Sequence, residues 1–265
     1  MRLSQGHLNV LDTCPRKFQY TYLDQLGGLT TPEQQTRLAW GSRFHLLVQQ
    51  RELGLPIEPL IQADEELQAC FTAFVEGATE VFQGPWLARH SEHPRSLEFQ
   101  GHGLTVVYDL LLLSETQADI LDWKTYARPQ TPRWLAQNWQ TRLYPYLLAE
   151  TSHYLPEQIS MTYWFVQPFV RHQEEQAISP TKLKFSYSDT LHQEIHQRLT
   201  ELAEQVTEWL QAYQAGNFFP QIPETAGHCQ TCPFVIRCDR HSDEERSPSI
   251  ERWLSNMAEI EEVPL

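Results

Sequence analysis

The sequence predicts a mixed α/β fold in which an open sheet is covered by helices. Three observations carry this. Helical patterning fills the chain as far as Phe82, three short strand-like runs then follow one another between turn-forming residues, and a long helical pattern separates them from further strands. Helices, a meander, a helix and more strands in that order fit a sheet flanked by helices. With 265 residues, 41% hydrophobic content and eight tryptophans, the chain can bury one large core or two small ones, and one domain with a helical insertion is expected.

The elements follow from local chemistry. Ser4 can cap a helix through about Asp12, and Pro15 can open a second one with Phe18, Tyr22 and Leu26 on one stripe, ended by Gly27-Gly28. Pro32 to Leu53 reads as helix. So does Asp64 to Phe82, with Leu67, Phe71, Phe74, Val75 and Ala78 on one side. The runs RSLEFQGHG, LTVVYDLLLL and ADILDWKTY have strand composition. Pro132 to Glu150 is a long helical pattern, QISMTYWFVQP is a strand, Glu174 to Ile178 and Lys182 to Tyr187 add strand character, and a helix runs from about Ser188 to Ala215.

Charge narrows the function classes. Twenty Lys and Arg against 34 Asp and Glu leave a net charge of −14, so any nucleic-acid groove must be a local basic lining on an acidic body. Part of the excess sits at the end of the chain, where residues 241–265 read as an acidic tail after a body spanning 1–240. No cationic segment followed by an apolar run opens the chain, and no stretch of about 18 apolar residues occurs. A cytoplasmic protein with no membrane segment is expected. In a reducing compartment, clustered cysteines more often ligate metal or do redox chemistry than form structural disulfides.

Chemistry concentrates in the meander. A turn over Ser114 to Gln117 pairs residues so that Asp109 falls opposite Asp122. Like charges placed directly opposite are destabilising and call for compensation. Lys124 follows two positions beyond Asp122 on the same strand face, and Leu111 and Ile120 make that face apolar. Two carboxylates and an ammonium at such an edge can hold a divalent cation beside a lysine, and Mg²⁺ takes one or two carboxylates plus water and phosphate. An isolated D…DxK is as often a set of solvated positions.

The second concentration is HCQTCPFVIRC, which places Cys229, Cys232 and Cys238 in the spacing C-x2-C-x5-C. A CxxC pair alone fits zinc, redox chemistry or chance. Cys14 stands early, in DTCPRKF, and Cys70 lies amid Leu67, Phe71 and Phe74 as a core thiol would.

Five pieces in order, CPRKFQYTYL, GSRFH, VVYD with LDWK, QTRLY and CxxCxxxxxC, resemble the PD-(D/E)XK nuclease superfamily. The likeness is to its RecB-like branch with an iron-sulfur cluster, which includes the AddB nuclease domain, exonuclease V and the CRISPR-associated adaptation nucleases. The resemblance implies a restriction-endonuclease-like fold with a C-terminal iron-sulfur staple. By its pattern His45, Asp109 and Asp122 would bind Mg²⁺ or Mn²⁺, and Lys124 would position or activate the attacking water. Gln140 and Tyr144 would touch the DNA strand, and Glu98 resembles a further acidic position. Cys14 would join Cys229, Cys232 and Cys238 around a [4Fe-4S] cluster. Arg16 and Lys17, beside the first of these cysteines, would then contribute to a phosphate-contacting patch. The implied activity is metal-dependent hydrolysis of DNA, as an exonuclease on single strands or ends. Repair, recombination or CRISPR adaptation is the implied setting, with a helicase or adaptation protein as partner. The rival readings are a non-catalytic DNA-binding or adaptor subunit and a zinc-stapled interaction module.

Overall fold

The structure, a computed structural model, describes residues 1–27, 31–62, 64–126, 132–166 and 180–240. In chain order its elements are β1 (Arg2–Leu3), α1 (Gln5–Thr13), α2 (Pro15–Phe18) running into a π turn over Gln19–Leu23, α3 (Pro32–Glu52), α4 (Glu58–Ile61), α5 (Glu65–Gly77) and α6 (Thr79–Gln83). Then come β2 (Ala88–Phe99), β3 (His102–Leu113), β4 (Ala118–Lys124), α7 (Arg133–Gln137), α8 (Trp139–Glu150), β5 (Ile159–Phe165), β6 (Thr181–Ser186) and α9 (Asp189–Gln214). The expected strand at Glu174 to Ile178 and the acidic tail 241–265 lie outside the described residues. Among the described residues no helix is long and apolar enough to cross a membrane.

Contacts divide the chain into two compact units, Met1–Asn9 with Leu29–Asn217, and Val10–Gly28 with Phe218–Leu265. The first unit holds one mixed sheet of order β1-β3-β4-β5-β6, with β2 paired to β3. The β2–β3, β3–β4 and β5–β6 pairs are antiparallel, whereas β1–β3 and β4–β5 are parallel. A parallel pair requires a crossover, and α7 with α8 supply it. β2 starts at Ala88 rather than near Arg95. It pairs only with β3, and an edge strand accepts Pro94, which in sequence reads as a break.

Helices anchor to the sheet through apolar side chains. Phe44, Leu47 and Val48 of α3 and Leu67, Cys70, Phe71 and Phe74 of α5 are buried with Leu110, Leu112, Leu121, Trp123 and Trp164 of the sheet. Phe74 meets Phe44, Trp123 and Trp164 edge-on at 5.2–5.9 Å between ring centres. Each such side chain contributes about 1.5–3 kcal/mol, which holds α3 firmly over the end of β4. Two expected helices are broken where a residue leaves helical geometry. Asp64 to Phe82 divides at Ala78 (φ −105°, ψ 40°), and Pro132 to Glu150 divides at Asn138 (φ −66°, ψ 138°). The Asn138 side chain caps α8 by accepting the Gln140 N–H at 2.8 Å. α8 then runs through Pro145 without ending.

In the second unit an early and a late segment hold each other. The Arg16 N–H donates to the Pro220 carbonyl at 3.0 Å, and the Phe219 N–H donates to the Gln19 side chain at 2.8 Å. The Phe18 and Phe219 rings stack 6.0 Å apart.

Candidate active site

The β3–β4 ladder has the register expected from its turn, with Leu110 opposite Leu121, Leu111 opposite Ile120 and Leu113 opposite Ala118. It stops there. Asp109 and Asp122 would be the next pair, but they do not form one. The Asp109 Oδ2 instead accepts the backbone N–H of Trp123 at 2.8 Å. The carboxylate thus takes the ladder donor that strand pairing leaves open, and is held by backbone rather than by rotamer preference alone.

Asp122 faces a closed triangle of partners. Its Oδ2 lies 2.6 Å from Lys124 Nζ, and its Oδ1 accepts from Gln140 Nε2 at 2.5 Å. Gln140 Oε1 in turn accepts from Lys124 Nζ at 2.8 Å. Burial and the nearby Asp109 push the Asp122 carboxyl up to about 7, against the pull of Lys124. Lys124 moves the other way from an ordinary buried lysine. Desolvation works against its charge, but Asp122 outweighs it and raises its pKa, so the ammonium stays protonated.

His45 reaches the same place from α3. Its Nε2 hydrogen-bonds to the Trp123 carbonyl at 3.0 Å, so that nitrogen carries the proton and Nδ1 is left as the lone-pair donor. Nδ1 lies 3.4 Å from Asp109 Oδ2. Burial disfavours the imidazolium, yet Asp109, Asp122 and Glu92 together raise its pKa. Glu92 was not anticipated. His45, Glu92 and Asp109 each offer one ligand atom, and those atoms lie within 4.8 Å of one another. The Glu92 carboxyl is also raised, first by burial and then by Asp109.

A divalent cation fits this set. Glu92 and Asp109 are gathered with His45, and the Glu92 carboxyl is raised, whereas Asp122 lies outside that set and is held by Lys124 and Gln140. A nitrogen lone pair beside hard oxygens, with its other ring N–H fixed by a carbonyl, is the usual way a ligating histidine is oriented.

The family model for the PD-(D/E)XK nuclease superfamily matches residues 2–239. The chain belongs to this superfamily. The fold is similar to the crystal structure of a candidate exonuclease from Eubacterium rectale, at 13% identity over 93% of this chain and 87% of that one, with a TM-score of 0.50. The structure of SSO0001 is also similar, at 12% identity over 89% and 85%, with a TM-score of 0.37. No curated protein matches. Nucleases of this superfamily use divalent metals, and the site above supplies a place for one.

Of the two acidic residues on β2, Glu92 lies with His45 and Asp109, and Glu98 does not. Glu98 is exposed opposite Gly103, near the hairpin turn, and lines a different groove with Met1 and Arg2. The turn that could have revealed Glu92 is Gln100-Gly101, both at positive φ (47° and 78°) as a two-residue hairpin requires. Counting back from that turn puts Glu92 opposite Asp109. Of the QxxxY pair, Gln140 enters the site. Tyr144 is packed inside the first unit. It is 4% exposed, lies edge-on to Tyr108 at 5.4 Å, and its hydroxyl interacts with Gln140 and the Val107 backbone.

The four cysteines singled out by sequence line one pocket of the second unit, together with Lys17, Phe234 and Arg240. Burial raises the Cys238 thiol, opposed by Arg16 and reinforced by Cys14 and Cys232. An Arg240 nitrogen lies 3.5 Å from Cys229 Sγ. Cys70 is fully buried in the first unit. Arg16 makes contacts within the second unit. Its Nε donates to the Phe219 carbonyl at 2.6 Å and its guanidinium covers the Phe218 ring at 4.6 Å. Lys17 is half-buried beside the thiols.

Proposed function

We propose that this chain is a Mg²⁺- or Mn²⁺-dependent deoxyribonuclease acting as an exonuclease on single-stranded DNA or DNA ends. The observation that carries this reading is the gathering of His45, Glu92 and Asp109 beside an ammonium, Lys124, pinned between Asp122 and Gln140. His45, Glu92, Asp109 and Asp122 would hold the cation. When bound, it polarises a phosphoryl oxygen and lowers the pKa of a bound water. Lys124 keeps its proton and orients the attacking water or offsets charge growing on the phosphate. Gln140 holds Lys124 and Asp122 in register, so neither needs to reorganise during the reaction.

The same proposal includes a [4Fe-4S] cluster on Cys14, Cys229, Cys232 and Cys238. In support, the four thiols share one pocket with Arg16 and Arg240 near their sulfurs. Incubation of anaerobically purified protein with end-labelled single- and double-stranded DNA and RNA, with Mg²⁺, Mn²⁺ or EDTA, tests the activity. Metal-dependent release of mononucleotides from single-stranded DNA is expected. Binding without cleavage under every condition would instead make the chain an adaptor.

A further inference from the structure

A groove of about 760 Å³ opens beside His45 and Glu92, between α3 and Thr125 and Tyr126. His45 and Glu92 form its inner end, so whatever fills it is continuous with the reacting phosphate. Its walls are apolar where solvent would favour polar residues. Leu38 is 63% exposed, Leu46 40% and Tyr126 43%. Leu38 and Leu46 lie two turns apart on one face of α3 and contribute nothing to the core beneath it. Gly41, between them, sits where a Cβ would come within 2.9 Å of Thr125 Oγ1, so the helix approaches the end of β4 as closely as a glycine allows. The Tyr126 ring is braced edge-on by Phe165 at 5.9 Å and so keeps its orientation while exposed.

The charge of this groove argues against a track for the phosphate backbone. Among the described residues that line it, Arg37 is the only Lys or Arg, and Glu92 is acidic. Exposed leucines and a braced tyrosine suit a nucleobase, whose flat faces stack on aromatic rings whatever the sequence. The volume falls within that of pockets that take small ligands, about 300–1,000 Å³, and so has room for a single nucleotide. A base within a duplex would have to leave its stack at a cost of a few kcal/mol.

We infer that this groove is a base-binding pocket for an unpaired nucleotide next to the scissile phosphate, with Tyr126 as its stacking platform. The inference rests on the nuclease reading of the adjoining site and would account for the preference for single strands or ends proposed there. Tyr126 acts on substrate binding and not on the metal.

The test measures binding of a short fluorescent single strand to the full chain with Ca²⁺ in place of Mg²⁺, and KM and kcat with Mg²⁺. Tyr126→Ala should weaken binding and raise KM at least about tenfold with little change in kcat, and Tyr126→Phe should restore both. A strand made abasic should bind the parent and Tyr126→Ala equally weakly. Equal affinity of the parent and Tyr126→Ala for the normal strand would overturn the pocket while normal cleavage kept the nuclease reading. A parent that neither binds nor cuts any nucleic acid would overturn both.

Discussion

Glu92 faces Asp109 across β2 and β3, in register with the pairs Ser91–Leu110 and His93–Tyr108 on either side, yet the two do not pair in the ladder. Glu92 has φ 47°, a left-handed conformation uncommon for a residue with a long side chain. The strand gives up one pair to turn a carboxylate toward His45 and Asp109. Glu92→Gln should weaken Mn²⁺ binding at least about tenfold, the low end of what even outer partners of a metal contribute. Electron paramagnetic resonance titration of free Mn²⁺ reads this directly, and an unchanged dissociation constant would remove Glu92 from the ligand set.

Lys124 and Asp122 form a buried ion pair, with side chains 18% and 4% exposed. Lys124→Ala should abolish cleavage and also lower the melting temperature, because an uncompensated buried carboxylate costs about 3–5 kcal/mol. Asp122→Asn with Lys124→Ala should recover part of the stability and none of the activity. Cleavage at the parental rate by Lys124→Ala would show that the reacting phosphate sits elsewhere.

Stability without metal should fall as pH rises. Asp122 titrates near 7 in the folded chain and near 3.9 when unfolded, so between these values the folded state binds the extra proton and is favoured at the acidic end. His45, also raised on folding, acts in the same direction and loses its contribution as pH climbs through its folded pKa. Thermal melts in EDTA should show a decline from about pH 4 to about pH 7, and Mn²⁺ should stabilise more at the alkaline end of that window than at the acidic end. Asp122→Asn should flatten the decline. Melting temperatures that climb with pH in EDTA would contradict this arrangement.

Cys14→Ala should bleach the protein and destabilise the second unit, since metal-binding free energy is folding free energy when ligands come from distant segments. Cys70→Ala should keep the colour and cost only packing, on the order of 1 kcal/mol. Iron and sulfide analysis with visible spectra of both variants decides the matter, and stoichiometric zinc without iron in the parent would end the cluster proposal.

Tyr144→Phe isolates a hydroxyl from a ring. The phenylalanine keeps the packing against Tyr108 but loses the interaction with Gln140. It should melt close to the parent, cleave more slowly and bind single strands as tightly. Weaker binding with an unchanged rate would return Tyr144 to contact with DNA.

The sequence by itself determined what depends on neighbours along the chain. Turn residues at Ser114–Gln117 set the β3–β4 register, helices were legible from about Asp64 and Ser188, and the order of motifs pointed to the superfamily. These are legible because a turn, a cap or a strand period is a matter of a few consecutive dihedral angles and side chains. What only the tertiary structure decided is what each side chain meets. Glu92 joined the site because an edge strand absorbs Pro94 and a left-handed residue. Asp109 turned to the Trp123 N–H because the ladder ends one pair early. Tyr144 became buried and Arg16 was drawn onto Phe218 and Phe219 by segments far away in sequence. Spacing cannot encode these outcomes, because burial, desolvation and hydrogen-bond partners come from packing between distant parts of the chain.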